Sequence, residues 1–304
     1  MGKNVGAPTV TLAQRPELPS RSVTVSATAT WVWSLEPFQV APVLASGLLY
    51  AARARTLARR GRPVRRARAL SFGLGLAFLL VAFVTPIDFL GEERLFSVHM
   101  AQHILIGDLA PLAVVLGLDG PLLRPLLALP LVWRLRVLAH PLVALPLWAA
   151  NLYLWHLPRL YDAALDHATV HALQHALFFA CGAIMWAALL EPLPGRPWFR
   201  TGLKFPYLAG YWGVGSVLAN VFIWSGHAYY PRYVQAPRLW GLSAVADQRI
   251  GGGVMLLEGS AVAIGAFAWL FLRWLGESEK RQRLVDAGID VAAAERAVRY
   301  GRDS

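Results

Sequence analysis

The chain has 304 residues, of which 56% are hydrophobic and only 15% are charged, and its mean hydropathy is +0.46. This composition excludes an ordinary soluble domain and predicts a polytopic membrane protein. The net charge of +11 indicates arginine-rich cytoplasmic loops and contact with anionic membrane lipids, and we expect no binding of nucleic acid. Cys181 is the lone cysteine, which excludes an intramolecular disulfide and a metal site built from paired thiolates.

The apolar stretches predict an all-α membrane bundle over residues 31–275. Residues 1–30 contain no continuous apolar run, so we expect a flexible tail and no cleavable signal peptide. A spanning helix needs roughly 20 apolar residues. Seven stretches fit and predict seven transmembrane helices at 37–53, 69–87, 95–117, 139–157, 168–190, 205–227 and 249–274. Residues 120–133 are short and broken by prolines, which predicts an interfacial connector, and residues 276–304 return to a soluble composition that predicts a cytoplasmic helical tail.

The distribution of arginine predicts the orientation of the bundle. The segment "RARTLARRGRPVRRAR" (53–68) follows the first predicted helix and carries eight arginines and no acidic residue. Loops of this composition remain in the cytoplasm. We therefore predict an N-terminus outside and a C-terminus in the cytoplasm.

Seven of the eight histidines then fall at the outer ends of predicted helices. His99/His103 and His171/His175 have i, i+4 spacing, which places both rings of each pair on one helix face. Because the two helices enter from the same side, His103 and His175 lie at similar depth. We expect His167 to be a bystander.

An i, i+4 histidine pair is a natural chelate, and ionisable groups inside a membrane are functional by default. The pattern therefore predicts a metal site that opens to the outer face. Its candidate ligands are His99, His103, His156, His171, His175 and His227. Imidazole suits copper, zinc and iron, so these residues alone leave the identity of the metal open.

Two methionines and two acidic residues inside the predicted helices are candidates to support this site. Met100 and Met255 lie near the same level and could offer thioethers to Cu(I), although packing is the commoner role of methionine. Asp108 and Glu258 are costly in a membrane unless they are paired or hydrated. On a straight α-helix Asp108 would lie about 140° from His103, which predicts a supporting or proton-linked role, or pairing between helices.

The motif "DQRIGG" opens the seventh predicted helix. Asp247 is placed to cap the first turn of that helix, and Gly251 and Gly252 permit close helix packing. Asp247 and Gln248 are further candidates to support the metal site.

Four motifs together resemble the polytopic CtaG family of cytochrome c oxidase assembly factors. They are "HMAQHILIGDLAPLAVVLG" (99–117), "WHLPRLYDAAL" (155–165), "HALQH" (171–175) and "DQRIGGGVM" (247–255). The resemblance implies a seven-span protein of the prokaryotic plasma membrane that binds copper and helps to deliver or insert it into a haem-copper oxidase. It further implies a metallochaperone that turns over no substrate, with an oxidase subunit and a copper donor protein as partners.

The resemblance to the family implies functional roles for a set of polar residues and glycines. They are His99, His103, His156, His171, His175, Asp247, Gln248, Gly251 and Gly252. The candidacy of His227 and Glu258 rests on their position in the predicted helices.

Two other functions stay open from the residues alone. A zinc-dependent intramembrane hydrolase would bind zinc through three histidines and activate a water molecule, but no clear general base accompanies the cluster, with Asp162 or Glu258 as candidates. A b-type haem protein would use His103 and His175 as axial ligands. The i, i+4 spacing argues against the haem protein, because it cannot place both rings of a pair on opposite faces of one iron.

Overall fold

The computed structural model describes residues 32–192 and 200–300, and these residues form helices and connecting segments without a β-strand. The tail predicted over 1–30 lies outside the described residues. The α-helices are α1 (Pro37–Arg59), α2 (Arg66–Val84), α3 (Ile87–Glu93), α4 (Phe96–Ile104), α5 (Ala110–Gly117), α6 (Gly120–Leu127), α7 (Pro130–Leu135), α8 (Pro141–Trp155), α9 (Pro158–Asp166), α10 (Ala168–Leu190), α11 (Thr201–Trp224), α12 (Pro231–Gln235), α13 (Ala244–Asp286) and α14 (Val291–Tyr300). A π-helical turn, Leu105–Leu109, joins α4 to α5, and a 3₁₀ turn, Arg136–Ala139, follows α7.

Each of the seven predicted spans coincides with a helix, but fewer of these helices meet the requirements for crossing a membrane. Among the described residues, four helical stretches are long and apolar enough: α2, Phe96–Gly117, α10 and α13. A fifth span results if Pro130–Ala139 and α8 are taken as one bent unit, with an angle of 81° between its parts. The protein is thus an all-helical chain with four or five candidate spans, and the seven-span topology stays a prediction.

The two ends of α13 lie beyond the predicted seventh span. The helix runs unbroken from Ala244 to Asp286 and so passes through the predicted domain boundary at 275 without interruption. The short helix α14 packs against it. Residues 276–300 are mainly helical, and residues 301–304 lie outside the described part of the chain.

Close helix packing depends on glycine at two contacts. A Cβ atom at Gly182 of α10 would lie 2.1 Å from the carbonyl oxygen of Gly107, so α10 touches the π-helical turn backbone to backbone. A Cβ atom at Gly252 of α13 would lie 2.6 Å from the carbonyl oxygen of Ala219 in α11. The predicted role of Gly252 in helix approach is confirmed, and only glycine fits such contacts.

The π-helical turn has a local cause in the sequence. Pro111 has no backbone N–H to donate to the carbonyl group of Gly107, four residues earlier, so the α-helical ladder is interrupted there. The turn accommodates one more residue than an α-helical turn does. Asp108 lies within it.

Helix α2 connects two ends of the bundle that differ in chemistry. Near its beginning, the Arg68 side chain donates a hydrogen bond to the carbonyl group of Leu118. Near its end, the carbonyl group of Ala82 accepts a hydrogen bond of 3.0 Å from Gln102, next to His103. At 1.5 Å per residue, these two contacts are about 21 Å apart along the helix.

Candidate metal centre

Helices α4 and α10 bring two histidine pairs together at one end of the bundle. The ring centroids of His99 and His103 are 4.2 Å apart, and those of His171 and His175 are 4.1 Å apart. Across the helix interface, His99 lies 5.5 Å from His171 and His103 lies 5.5 Å from His175. These four residues, called the four-histidine cluster below, are all buried. One ring nitrogen from each of them lies within 4.8 Å of the others.

Hydrogen bonds define which nitrogen of His99 faces the cluster. The Tyr233 hydroxyl donates to the carbonyl oxygen of Gly91 at 2.8 Å, so this hydroxyl accepts from Nδ1 of His99, also at 2.8 Å. Nε2 of His99 therefore carries a lone pair. It lies 2.8 Å from Nε2 of His103, so the two imidazoles present these nitrogens to each other.

His171 is oriented in the same manner by a carboxylate. Its Nδ1 lies 2.9 Å from Oε1 of Glu92, while its Nε2 is buried and has no hydrogen-bond partner among the described residues. Histidines that bind metals commonly donate their other ring N–H to a carboxylate, which holds the ring and its tautomer. Because Glu92 binds Nδ1, the lone pair on Nε2 of His171 stays available to a metal ion.

The cluster contains further buried nitrogens without partners. Both ring nitrogens of His175 and Nδ1 of His103 lack a hydrogen-bond partner in the described chain. A buried polar group without a partner costs free energy, and native proteins rarely retain several in one place without a ligand. The donor set, four imidazoles from two helices, fits a metal ion of the copper or zinc type.

Asp247 supports the cluster in a way that differs from the prediction. Its carboxylate accepts hydrogen bonds from the backbone N–H groups of Phe96 at 2.6 Å and Ser97 at 3.2 Å, so it caps α4 and not its own helix. The cap of α13 is Ser243, whose Oγ accepts from the N–H of Ala246 at 3.1 Å. The predicted cap is wrong because Asp247 lies within the first turn of α13 and faces α4.

His156 and His227 stand apart from the four-histidine cluster. His156 follows α8, and its Nδ1 donates to the Leu152 carbonyl at 2.7 Å. Its Nε2 is buried without a partner in the part of the chain that the structure describes, and its ring lies 6.2 Å from that of His103. His227 is exposed and packs against Tyr229, with the centroids 4.8 Å apart. Helix α11 ends at Trp224, three residues before His227, so a loop and not the helix positions the His227 ring.

The remaining polar candidates bind backbone groups. Gln248 accepts from the N–H of Tyr229 at 2.8 Å and donates to the His227 carbonyl at 3.1 Å, which holds the loop after α11. His167 is exposed at the start of α10. His140 accepts a hydrogen bond of 3.3 Å from the N–H of Leu142 and lies at the start of α8.

Asp108 and Glu258 belong to a second buried group, deeper in the bundle. Asp108 accepts a hydrogen bond of 2.6 Å from the indole of Trp186 and another from the Tyr211 hydroxyl, and it is hydrogen-bonded to Glu258. We call these four side chains the carboxyl cluster. A cavity of about 80 Å³ extends between the two clusters and is lined by Met100, His103, Asp108, His156, Met255 and Glu258, among others.

Sequence reasoning overlooked two side chains that orient the histidines. Glu92 precedes the third predicted span in a short acidic run, "GEER", and an acid beside a histidine cluster on the same face was the available signal. Tyr233 lies in the short helix α12, far along the chain from His99, and no sequence pattern links the two residues.

Comparison with known proteins places the chain in a family. The family model for the cytochrome c oxidase caa3 assembly factor matches residues 48–277. An uncharacterized protein of Mycobacterium bovis is 28% identical over 245 residues, which cover 73% of this chain and 36% of that protein. An uncharacterized protein of Mycobacterium leprae is 25% identical over 271 residues, which cover 82% of this chain and 40% of that protein.

The chain thus spans well under half the length of these curated relatives. No solved structure matches it. The family match extends from α1 to the later part of α13 and includes both histidine pairs. The chain belongs to the family of cytochrome c oxidase caa3 assembly factors.

Proposed function

We propose that this protein binds copper as cargo at the four-histidine cluster and helps to deliver it to a haem-copper oxidase in the plasma membrane of a prokaryote. The observation that carries the proposal is the convergence of four buried imidazoles whose ring nitrogens lie within 4.8 Å of one another. The family supplies the oxidase as the client. The protein then acts as a metallochaperone that meets an oxidase subunit and a copper donor protein.

The ligands that we assign are His99, His103, His171 and His175. Glu92 holds His171, and Tyr233 holds His99, so that the nitrogens facing the cluster carry lone pairs. Four neutral donors suit copper, which binds most tightly in the divalent series, and zinc is the alternative. Copper itself, as cargo, supplies the redox centre of the client enzyme and takes part in no reaction here.

The orientation of the bundle follows from the same proposal. We propose seven spans with the N-terminus outside, so that the arginine-rich segment 53–68 faces the cytoplasm and anionic lipids. The contacts of Arg68 and Ala82 lie about 21 Å apart along α2, which supports opposite ends for arginines and histidines. Copper would therefore enter from the outer face.

The two other functions are not favoured by the geometry. The rings of His103 and His175 have centroids only 5.5 Å apart and pack edge to face, with an interplanar angle of 82°, which leaves no space for a porphyrin between them. For a hydrolase, the nearest carboxylate is Glu92, and it is engaged with Nδ1 of His171. A general base must instead reach a water molecule bound to the metal.

Metal analysis of purified protein tests the proposed ligands. We expect His103→Ala and His175→Ala each to lower metal affinity by more than the roughly 10–100-fold that loss of a supporting group costs. His140→Ala and His167→Ala are the matched controls and should bind as wild type does. Full metal binding by single variants on both helices would rule out one shared site.

Oxidase copper content in cells tests the delivery step. We expect the oxidase to contain less copper in cells with His103→Ala, or without the gene, than in wild-type cells, while the variant protein stays at its normal level. Added external copper should partly restore the copper content of the oxidase in the His103→Ala cells, because mass action compensates a weakened site. Equal oxidase copper in all three strains would contradict the proposed function even if the metal site proved real.

A further inference from the structure

The cavity beneath the four-histidine cluster combines groups that the proposed outer site does not use. Met100 is 1% exposed, and both its side chain and that of Met255 line the cavity. His156 lines it too, and its Nε2 is buried without a partner in the described chain. Two thioethers and one imidazole are a donor set that favours Cu(I) over harder divalent ions.

The tautomer of His156 is already defined for a ligand. Its Nδ1–H donates to the Leu152 carbonyl at 2.7 Å, so the lone pair is on Nε2. The residue is 7% exposed. The bond to Leu152 therefore leaves Nε2 unprotonated and buried, with no hydrogen-bond donor among the described residues. Burying this nitrogen costs free energy unless a ligand binds it.

The carboxyl cluster borders the same cavity. Asp108 accepts hydrogen bonds from Trp186 and Tyr211, and Asp108 and Glu258 both line the cavity. A cation held by neutral thioethers and imidazole would lie beside these carboxyl groups, and their oxygen atoms lower its cost in a membrane interior.

The cavity has the size and the position for one ion in transit. Its volume of about 80 Å³ exceeds the 10–15 Å³ or so that one water molecule occupies in a cavity. Its walls extend from buried His103 to the half-buried Gly215 and the exposed Trp212 on α11. The cavity therefore lies between the four-histidine cluster and the exposed Trp212 on α11.

We propose that Met100, Met255 and Nε2 of His156 form a second, inner copper site that is selective for Cu(I). This inference rests on the proposed function, since it makes the inner site the next position of copper after the four-histidine cluster. Copper is carried as Cu(I) at both sites, so the transfer needs no redox step. His103 lines the cavity and also belongs to the outer cluster, so it adjoins both sites. A lateral opening would present Cu(I) to a partner within the membrane.

The full-length protein, purified and loaded with Cu(I) alone or Zn(II) alone, provides the test. We expect wild type to bind two Cu(I) but one Zn(II), with sulfur scattering in the copper X-ray absorption spectrum. The double substitution Met100→Leu/Met255→Leu should bind one Cu(I), lose the sulfur signal and keep one Zn(II). Leucine conserves the volume of methionine closely, and retained Zn(II) verifies that the variant is folded.

Met185→Leu is the matched control. Met185 is fully buried in another part of the core and does not line the cavity, so this variant should bind two Cu(I). His156→Ala should bind one Cu(I). Absence of sulfur scattering from wild type, or two Cu(I) in the double methionine variant, would overturn the inner site.

A further variant distinguishes failure of this inference from failure of the proposed function. His171→Ala/His175→Ala removes two ligands of the outer cluster and leaves the inner donors in place. One Cu(I) with sulfur scattering in this variant supports the inner site. If that variant instead bound as much of both metals as wild type, the outer site would be refuted, while loss of Cu(I) in the double methionine variant would still establish the inner one.

Discussion

The four-histidine cluster and the carboxyl cluster are both buried polar groups, but they satisfy their hydrogen bonds to different extents. In the carboxyl cluster, Asp108 has donors from Trp186 and Tyr211 and contacts Glu258. In the four-histidine cluster, His175 has no partner at either ring nitrogen among the described residues. The hydrogen bonds of Asp108 stabilise a bundle by themselves, even though Oε1 of Glu258 has no partner among the described residues, whereas the histidine arrangement is completed by a ligand.

This difference predicts that substitutions in the two clusters affect different properties. Removing an unpartnered ring changes metal binding more than folding, because little hydrogen bonding is lost. Removing a fully partnered carboxylate leaves donors without acceptors and changes folding more than metal binding at the histidines.

The largest effect on stability is expected from Asp108→Ala. Trp186 and Tyr211 each lose an acceptor, and a buried donor left unsatisfied costs about 1–3 kcal/mol. The apparent melting temperature of the purified protein in detergent should fall clearly, while the folded fraction still binds one Zn(II). The melting temperature should fall less in Asp108→Asn, because asparagine retains one acceptor oxygen. A melting temperature unchanged by Asp108→Ala would remove the contrast between the clusters.

An intermediate effect, on affinity alone, is expected from Glu92→Ala. The substitution removes the carboxylate that holds His171, and loss of such a partner typically weakens metal affinity by about 10–100-fold. A competition titration with a metal chelator measures the change. Glu93→Ala is the matched control, since Glu93 pairs with Arg232 and not with a histidine. Equal losses in the two variants would show that net charge, and not the contact with His171, governs affinity.

The smallest effect concerns pH and Asp88 in α3, which lies beside the four-histidine cluster but outside the membrane-spanning helices. Burial raises the pKa of Asp88 from 3.8 to about 6. Because the folded state favours the protonated form, its stabilisation is complete below pH 3.8 and is lost as the pH rises through about 6. Asp88→Asn keeps an acceptor for Gln102, which donates at 2.7 Å. Melting temperatures at pH 4 and pH 7 should therefore differ less in this variant than in wild type, and an equal difference would contradict the assignment.

The histidine pairs were predictable because they depend on two local regularities. The i, i+4 spacing defines a helix face, and helix order defines which ends of helices meet. Both regularities hold for α4 and α10. His227 does not follow them, because its helix ends at Trp224 and loop geometry then decides where the ring lies.

Contacts from loops and irregular turns were not predictable in this way. Tyr233 reaches His99 from a helix of five residues, and no periodicity in the sequence brings such distant segments together. Asp108 was expected about 140° from His103 on a straight helix, yet both side chains line one cavity. A π-helical turn advances by a smaller angle per residue than an α-helical turn, and this brings Asp108 round toward the face of His103.

The π-helical turn Leu105–Leu109 also makes the winding of this helix part of the specification of the site. If the same residues formed a continuous α-helix, as a Pro111→Ala substitution that restores the missing N–H would permit, everything before the turn would rotate by about 100° relative to everything after it. His99 and His103 would then turn away from α10 while the residues after the turn kept their contacts. A substitution eight residues from His103 could thus separate the two histidine pairs without altering any of the residues that compose them.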